Sequence, residues 1–144
     1  MTAKELAEML TGREVGSEIG GPVVDRAKES GLVVVYGYSD DNVEFAGAID
    51  EEVGAYEGTR IYLAADGLLM EPGCAGIEDC DCPYFNKAKS SAKIIEAIWH
   101  DEGGPCWTFA TRIPHETFTI MEDGAPWCIG IVFSMADLED KEPL

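Results

Sequence analysis

The stretch from residue 32 to residue 52, LVVVYGYSDDNVEFAGAIDEE, decides the fold. Residues 32–36 form an apolar, β-branched run, and residues 43–49 form a second apolar run that ends at three acidic residues. Between them lies a polar break at residues 39–42. Two such runs around a short polar break are typical of two strands joined by a tight turn. We therefore predict that this strand pair forms the middle of a sheet.

Two short helices are predicted before that strand pair. Thr2 and Glu5 fit a capping box, and an apolar helix face follows until Gly12 ends the pattern. Residues 23–30 have the pattern of a second helix, which Gly31 stops. Helices this short depend on tertiary packing, so we expect both to lie against the sheet.

The rest of the chain predicts further strands, mostly arranged as hairpins. The predicted strands are residues 60–64, 68–70, 94–100, 106–112, 117–121 and 127–134. Asp66-Gly67 between the first two is a strong hairpin signal. Consecutive hairpins, rather than strands alternating with helices, indicate the α+β class. We predict an antiparallel sheet of about six or seven short strands with two short N-terminal helices.

The length of 144 residues fits a single domain. Residues 1–31 would hold the helices, residues 32–134 the sheet, and residues 135–144 an acidic tail. No apolar run is long enough to span a bilayer, and the N-terminus lacks the regions of a signal peptide. We therefore expect a cytoplasmic protein that does not bind membranes.

The charge balance narrows the classes of partner. The chain has 28 acidic and 10 basic side chains, which gives a net charge of -18. A surface with this charge repels nucleic acid and anionic lipid, whereas it attracts a basic protein surface or imitates nucleic acid. Keeping a small protein in solution is the simpler explanation of the same acidity.

Three cysteines lie close together in the sequence CAGIEDCDC, at Cys74, Cys80 and Cys82. Their spacing is unlike that of a zinc site, which places two to four residues between paired ligands. We expect free thiols here and no metal, although the fold could bring His100 or Cys106 to them as a further ligand.

No catalytic arrangement is recognisable around the two histidines, His100 and His115. Cys106 or Cys128 could pair with either, but no strand–turn–helix motif of a nucleophile accompanies them. We therefore predict that the protein is not an enzyme and needs no cofactor. The acidic residues near the central turn do not follow the calcium-loop spacing. Asp40 and Asp41 could instead hold ribose hydroxyls of a nucleotide.

The segment WTFATRIPHETF, residues 107–118, is the most suggestive for ligand binding. Alternate residues of a strand share a face, so Trp107 and Phe109 would lie side by side near Arg112. An arginine beside aromatic rings could hold a phosphate while a ring stacks a base. The alternative is that both aromatics belong to the core. Including the scarce arginines, the candidate ligand-binding residues are Arg112, Trp107, Phe109, His115, Arg60, Arg26 and Asp40.

Several segments together resemble small acidic proteins of phages and of prophages in gut Firmicutes. These segments are KELAEMLTGRE, GLVVVYGYSDD, EFAGAIDEEVGAYEG, DCPYF, IEAIW, RIPHETF, MEDG and GIVFSMADL. The set is similar to the phage proteins that block Thoeris defence by sequestering its cyclic ADP-ribose signal. That resemblance implies a small antiparallel-sheet protein that forms a homo-oligomer, encloses the nucleotide between subunits and does not cleave it.

Two functional hypotheses follow from the sequence. The resemblance favours a nucleotide sponge, in which local arginines would have to overcome the repulsion between a chain of net charge -18 and an anionic ligand. The charge favours an anti-CRISPR-like protein whose acidic face imitates DNA and occupies a basic groove of an effector. A small nucleotide-cleaving enzyme would need a general base, which the sequence does not identify.

Overall fold

The fold was analysed in a computed structural model. It describes residues 1–14, 21–54, 59–64, 67–69, 94–100 and 104–138. The helices are α1 (Ala3–Leu10) and α2 (Pro22–Glu29). The strands are β1 (Leu32–Ser39), β2 (Asn42–Gly47), β3 (Glu51–Gly54), β4 (Thr59–Ala64), β5 (Gly67–Leu69), β6 (Ile94–Trp99), β7 (Trp107–Thr111), β8 (Glu116–Glu122) and β9 (Ala125–Ser134). A 3-10 turn, Met135–Leu138, follows β9.

Helix α1 begins with the capping box that the sequence predicts. The Thr2 hydroxyl oxygen accepts from the Glu5 backbone N–H, and the Glu5 carboxylate accepts from the Thr2 N–H, both at 3.1 Å. These bonds to Thr2 hold the pKa of Glu5 below its usual value. Leu6 and Leu10 are fully buried, and α1 packs against β8 and β9. Burial of this apolar face stabilises a helix that would be marginal alone.

Helix α2 is also confirmed, with Pro22 at its start and Gly31 just beyond its end in a left-handed conformation (φ 67°). Val23 and Ala27 are buried, and the helix packs against β1 and β2. Gly47 of β2 permits this packing, since a Cβ there would lie 2.9 Å from the Cβ of Ala27.

The two apolar runs form the hairpin β1–β2, as predicted. Their register pairs Val35 with Phe45 and Val33 with Gly47. Six consecutive residues of β1, from Leu32 to Gly37, are buried, so both faces of this strand are covered. This explains why its sequence is continuously apolar rather than alternating. Strand β1 lies between β2 and β9, at the centre of the sheet.

The α+β class is confirmed, but the sheet is mixed rather than purely antiparallel. The strand order is β3-β2-β1-β9-β7-β6-β4-β5, and β8 pairs with the other side of β9. Strand β7 runs parallel to β9, with Trp107 opposite Cys128. The predicted hairpins do pair as antiparallel neighbours. The parallel pairing joins strands of different hairpins, which local patterns cannot indicate.

The described residues also contain one strand that was not among the predicted segments. The missed strand is β3, which pairs with β2 at one end of the sheet order. Three of its four residues are exposed and only Val53 is buried. An acidic, mostly solvated strand lacks the apolar pattern from which strands are recognised, and charged residues are common on edge strands.

The first residues of the predicted acidic tail belong to the folded domain. Met135–Leu138 forms a 3-10 turn that packs on β9, and Leu138 is fully buried. The backbone N–H of Met135 donates to the carbonyl of Gly31 at 2.9 Å. The chain after β9 is thereby tied to the start of β1.

Candidate functional site

The sheet splits where β1 separates from β9. Strand β9 pairs with β1 over Ile131–Ser134, whereas its Cys128 pairs with β7. The end of β1 is held there by side chains. The Gly37 N–H donates to Cys128 Sγ (3.2 Å), Trp127 Nε1 donates to the Gly37 carbonyl (2.7 Å), and Trp107 Nε1 donates to the Ser39 carbonyl (2.7 Å). Two indoles and a thiol thus replace the missing strand pairing.

Gly37 makes this arrangement possible because it has no side chain. A Cβ at this position would lie 2.0 Å from Cδ1 of Trp107 and 2.3 Å from its Cγ. Both atoms belong to a rigid ring that is fully buried. The indole of Trp107 therefore lies directly against the backbone of β1, and any larger residue at position 37 would displace it.

The tryptophans form an aromatic cluster under the split. Trp99 meets Trp107 edge to face with ring centroids 5.1 Å apart, and meets Trp127 in the same way at 5.9 Å. Trp107 and Phe109 stack with their centroids 6.5 Å apart, which confirms that they share a face. Trp107 has no exposed surface, so in this conformation neither of its ring faces is open to a ligand.

An open cleft of about 490 Å³ lies above this cluster, between the β1–β2 and β8–β9 turns. Its walls are formed by Tyr38, Ser39, Asp40, Asp41, Glu122 and Trp127. The three carboxylates are exposed, and Tyr38 is 47% exposed. The cleft thus combines aromatic surface with negative charge, on a scale that suits a small ligand or a few side chains.

Carboxylates from both turns affect the pKa of the same thiol, that of Cys106. Cys106 is half-buried next to the split, and its N–H donates to the Trp127 carbonyl at 2.7 Å. Burial, followed by the charges of Asp40 and Glu122, raises the pKa of the Cys106 thiol. Burial also raises the pKa of Cys128 to about 12, although the Gly37 N–H partly opposes this. Both thiols are therefore protonated at neutral pH and poorly suited to act as nucleophiles.

Side-chain bonds fix the β1–β2 turn at the rim of the cleft. The Ser39 hydroxyl lies 2.9 Å from Oδ1 of Asp41 and also contacts Oδ1 of Asn42. The amide of Asn42 donates to the Glu52 carboxylate of β3 at 2.6 Å. The opposite rim is a two-residue turn, Asp123-Gly124, with φ values of 50° and 80° that suit a hairpin of this length.

The sequence-predicted site residues are spread over the molecule. Asp40 lines the cleft, whereas Trp107 and Phe109 lie in the cluster below it. Arg112 is exposed beyond the far end of β7, five residues from Trp107, which corresponds to roughly 17 Å along a strand. Arg26 is exposed on α2, with Nη1 4.0 Å from the sulfur of Met9.

The remaining candidates are Arg60 and His115. Arg60 is on β4, opposite Glu96 of β6, and its side chain falls outside the described residues. His115 lies in the connection between β7 and β8, where Nδ1 donates to the Ile113 carbonyl at 2.7 Å. None of the arginine side chains that the structure describes lines the cleft.

Four wall residues, Tyr38, Ser39, Glu122 and Trp127, were not predicted as site residues from the sequence. The sequence does contain a pattern that could have indicated this part of the site. Both SDD (residues 39–41) and EDG (residues 122–124) are acidic turn sequences next to an apolar strand. Bringing the two turns together requires the antiparallel pairing of β1 with β9, which joins residues about a hundred positions apart. Local patterns do not contain that information.

No arrangement for a metal ion is found among the residues that the structure describes. Cys74, Cys80 and Cys82 lie outside those residues. Within the described part of the chain, no helix has the length and apolar character needed to cross a membrane.

Comparison with protein-family models, curated proteins and solved structures found no match.

Proposed function

We propose that this protein binds a basic surface of a partner protein through its acidic end, which consists of Asp40, Asp41, Glu122 and Asp123. The observation that carries the proposal is the cleft in which carboxylates from two separate hairpins meet beside aromatic rings. Like charges brought together from separate turns repel one another in the free protein. A basic partner would neutralise them.

The distribution of exposed charge supports this proposal. The exposed acidic residues in the described ranges are Glu5, Glu8, Asp25, Glu29, Asp40, Asp41, Asp50, Glu51, Glu52, Glu116, Glu122, Asp123 and Asp137. The exposed lysines and arginines there are Lys4, Arg26, Lys28 and Arg112. Such an excess steers a basic partner toward the molecule and repels nucleic acid and anionic membranes.

The resemblance to phage and prophage proteins suggests where such a protein would act. We propose that the partner is a bacterial defence effector with a basic nucleic-acid groove, and that the acidic end occupies this groove in place of DNA. Binding would take place in the host cytoplasm and would need no catalysis.

DNA competition tests this function. A Cas9-type effector loaded with guide RNA is bound to fluorescently labelled target DNA, and anisotropy is followed as the protein is added. We expect displacement of the DNA that weakens as salt is raised from 50 to 300 mM, because charge pairs at an interface are screened. Absence of displacement across a panel of basic nucleic-acid-binding effectors would remove the proposal.

A second proposal, sequestration of a cyclic ADP-ribose-type nucleotide by a homo-oligomer, is favoured by the size of the cleft. A volume of about 490 Å³ and the ring of Tyr38 suit a nucleotide base. The three carboxylates in the walls oppose its pyrophosphate, so this function requires arginines supplied by another subunit. Filtration with the cyclic ADP-ribose isomer, followed by heat denaturation, tests it. Retention and release of intact ligand would support sequestration, and no retention would exclude it.

A further inference from the structure

The hydrogen-bonding groups of the cleft define which ligand it can accept. The indole N–H of Trp127 is used on the Gly37 carbonyl at 2.7 Å, and the Ser39 hydroxyl is directed at acceptors within its own turn. What remains for a ligand is therefore ring surface, the Tyr38 hydroxyl and carboxylate oxygens. A site with acceptors and aromatic faces is complementary to a cationic, donor-rich group and not to a phosphate.

The geometry of the walls favours a planar cation. Tyr38 stands 47% exposed at the mouth of the cleft, and the ring of Trp127 lines the cleft. Asp40 and Glu122 line the same cleft from two different turns. A guanidinium can stack on an aromatic face and donate in its own plane to carboxylates at the same time. An ammonium is more strongly hydrated and offers a single charged point instead.

We propose that the cleft receives an arginine side chain of the basic partner, with its guanidinium against the ring of Tyr38 and its N–H groups donating to Asp40 and Glu122. This inference rests on the proposed function, since the arginine belongs to that partner. It adds the chemical identity of the group that is recognised and the residues that recognise it. Arginine is also a frequent hot-spot residue at the centre of interfaces.

A peptide titration tests this assignment. The 15N-labelled protein is titrated with acetyl-Gly-Arg-Gly-amide, and the indole N–H signal of Trp127 and the backbone signals of residues 38–41 are followed. We expect saturable shifts at these positions, with weaker shifts for acetyl-Gly-Lys-Gly-amide. Asp40→Asn and Glu122→Gln should each weaken binding about two- to fivefold, as expected for an exposed pair of charges.

Glu29→Gln is the matched control, because it removes the same charge at the end of α2, before β1 begins at Leu32, and Leu32 is roughly 23 Å along that strand from Ser39. Its affinity for the arginine peptide should equal that of the wild type. Tyr38→Leu should weaken the arginine peptide more than the lysine peptide, since stacking is lost. Unfolding midpoints of all variants establish that they are folded.

Three results would overturn the assignment. In the first, Glu29→Gln weakens binding of the arginine peptide as much as the cleft variants do. In the second, the lysine peptide binds as tightly as the arginine peptide or more tightly. In the third, cyclic ADP-ribose displaces the arginine peptide. If the peptide fails while DNA displacement from the effector persists, the arginine site is wrong and the acidic-end function stands. If displacement is absent as well, the proposed function fails together with it.

Discussion

The indole nitrogen of Trp107 donates to the carbonyl oxygen of Ser39 at 2.7 Å, across 68 positions of sequence. This bond joins the start of β7 to the end of β1, at the point where β1 is no longer paired with β9. It also fixes the turn that carries Asp40 and Asp41. A buried tryptophan therefore sets the position of the exposed acidic cleft above it.

Replacing Trp107 by Phe should destabilise the fold. The change removes the N–H donor and leaves the Ser39 carbonyl without its partner, which costs about 1–3 kcal/mol. The smaller ring adds a cavity among Trp99 and Phe109. Urea unfolding measures the loss. Tyr38→Phe, which removes only a hydroxyl from a residue that is 47% exposed, should change stability by less than about 0.5 kcal/mol. Equal stability of wild type and Trp107→Phe would contradict this role.

Gly37→Ala should be far more harmful than its size suggests. The added methyl group would lie 2.0 Å from Cδ1 of the buried Trp107, so the indole or β1 must move. Overpacking of this kind costs about 1–3 kcal/mol or more. Gly54→Ala is the control, because a Cβ at that glycine has no heavy atom within 4 Å. Thermal unfolding of the two variants should differ clearly, and similar midpoints would show that the ring adapts without cost.

The raised pKa of Glu44 makes the stability of the fold depend on pH. Burial, followed by the charges of Glu52 and Asp50, raises the pKa of Glu44, and Glu52 stands directly opposite on β3. A carboxyl with a raised pKa in the folded state binds its proton more tightly than in the unfolded chain. Its ionisation therefore destabilises the fold as pH rises through the folded pKa, and protonation relieves this as pH falls.

Glu44→Gln should accordingly stabilise the protein at pH 7 by a few tenths to about 1 kcal/mol, the range for cross-strand charge pairs. The difference from wild type should shrink as pH falls below the raised pKa. Glu116→Gln, at an exposed residue opposite Val132, serves as the control. Denaturant unfolding at pH 7 and pH 4 makes the comparison. A benefit that is larger at pH 4 than at pH 7 would have the wrong sign for this explanation.

Thiol labelling should distinguish Cys106 from Cys128. Cys128 is fully buried and has its pKa raised to about 12, so iodoacetamide at pH 8 should leave it unmodified in the folded protein. Cys106 is half-buried and should be modified slowly, since its pKa is also raised. Peptide mass spectrometry assigns the modified sites. Labelling of Cys128 at the rate of Cys106 would contradict the packing described at the split of the sheet.

The sequence contains the local elements of this fold but not their long-range arrangement. The capping box at Thr2, the β1–β2 hairpin and the β8–β9 hairpin depend on neighbouring residues, and all were predicted. The parallel contact between Trp107 and Cys128 joins separate hairpins, and β3 exposes three of its four residues. Neither leaves a periodic signal in a single sequence.

In the candidate site, too, the sequence predicts local features but not the long-range contacts between them. Asp40 was predicted as a ligand residue because acidic side chains can hold ribose hydroxyls in nucleotide sites. Its surroundings at the cleft, however, depend on the pairing of β1 with β9. The alternation of Trp107 and Phe109 predicted a shared face, whereas only the structure shows that Trp107 is buried. Arg26 and Arg60 were chosen for the scarcity of arginine, and Arg112 also for its closeness in sequence to the aromatic residues. Neither reason indicates where the chain places an arginine side chain.

Binding through the acidic end is tested most directly by comparing two triple variants that remove the same number of charges. The measurement is the displacement of DNA from a guide-loaded Cas9-type effector, followed by anisotropy at 150 mM salt. One variant is Asp40→Asn/Asp41→Asn/Glu122→Gln in the cleft, and the other is Glu8→Gln/Asp25→Asn/Glu29→Gln on the exposed faces of α1 and α2. The acidic-end account predicts that the cleft variant inhibits at least about tenfold more weakly than wild type, equivalent to 1.4 kcal/mol, while the helix variant stays within about twofold. Equal losses in the two variants, or no displacement by the wild-type protein, would contradict it.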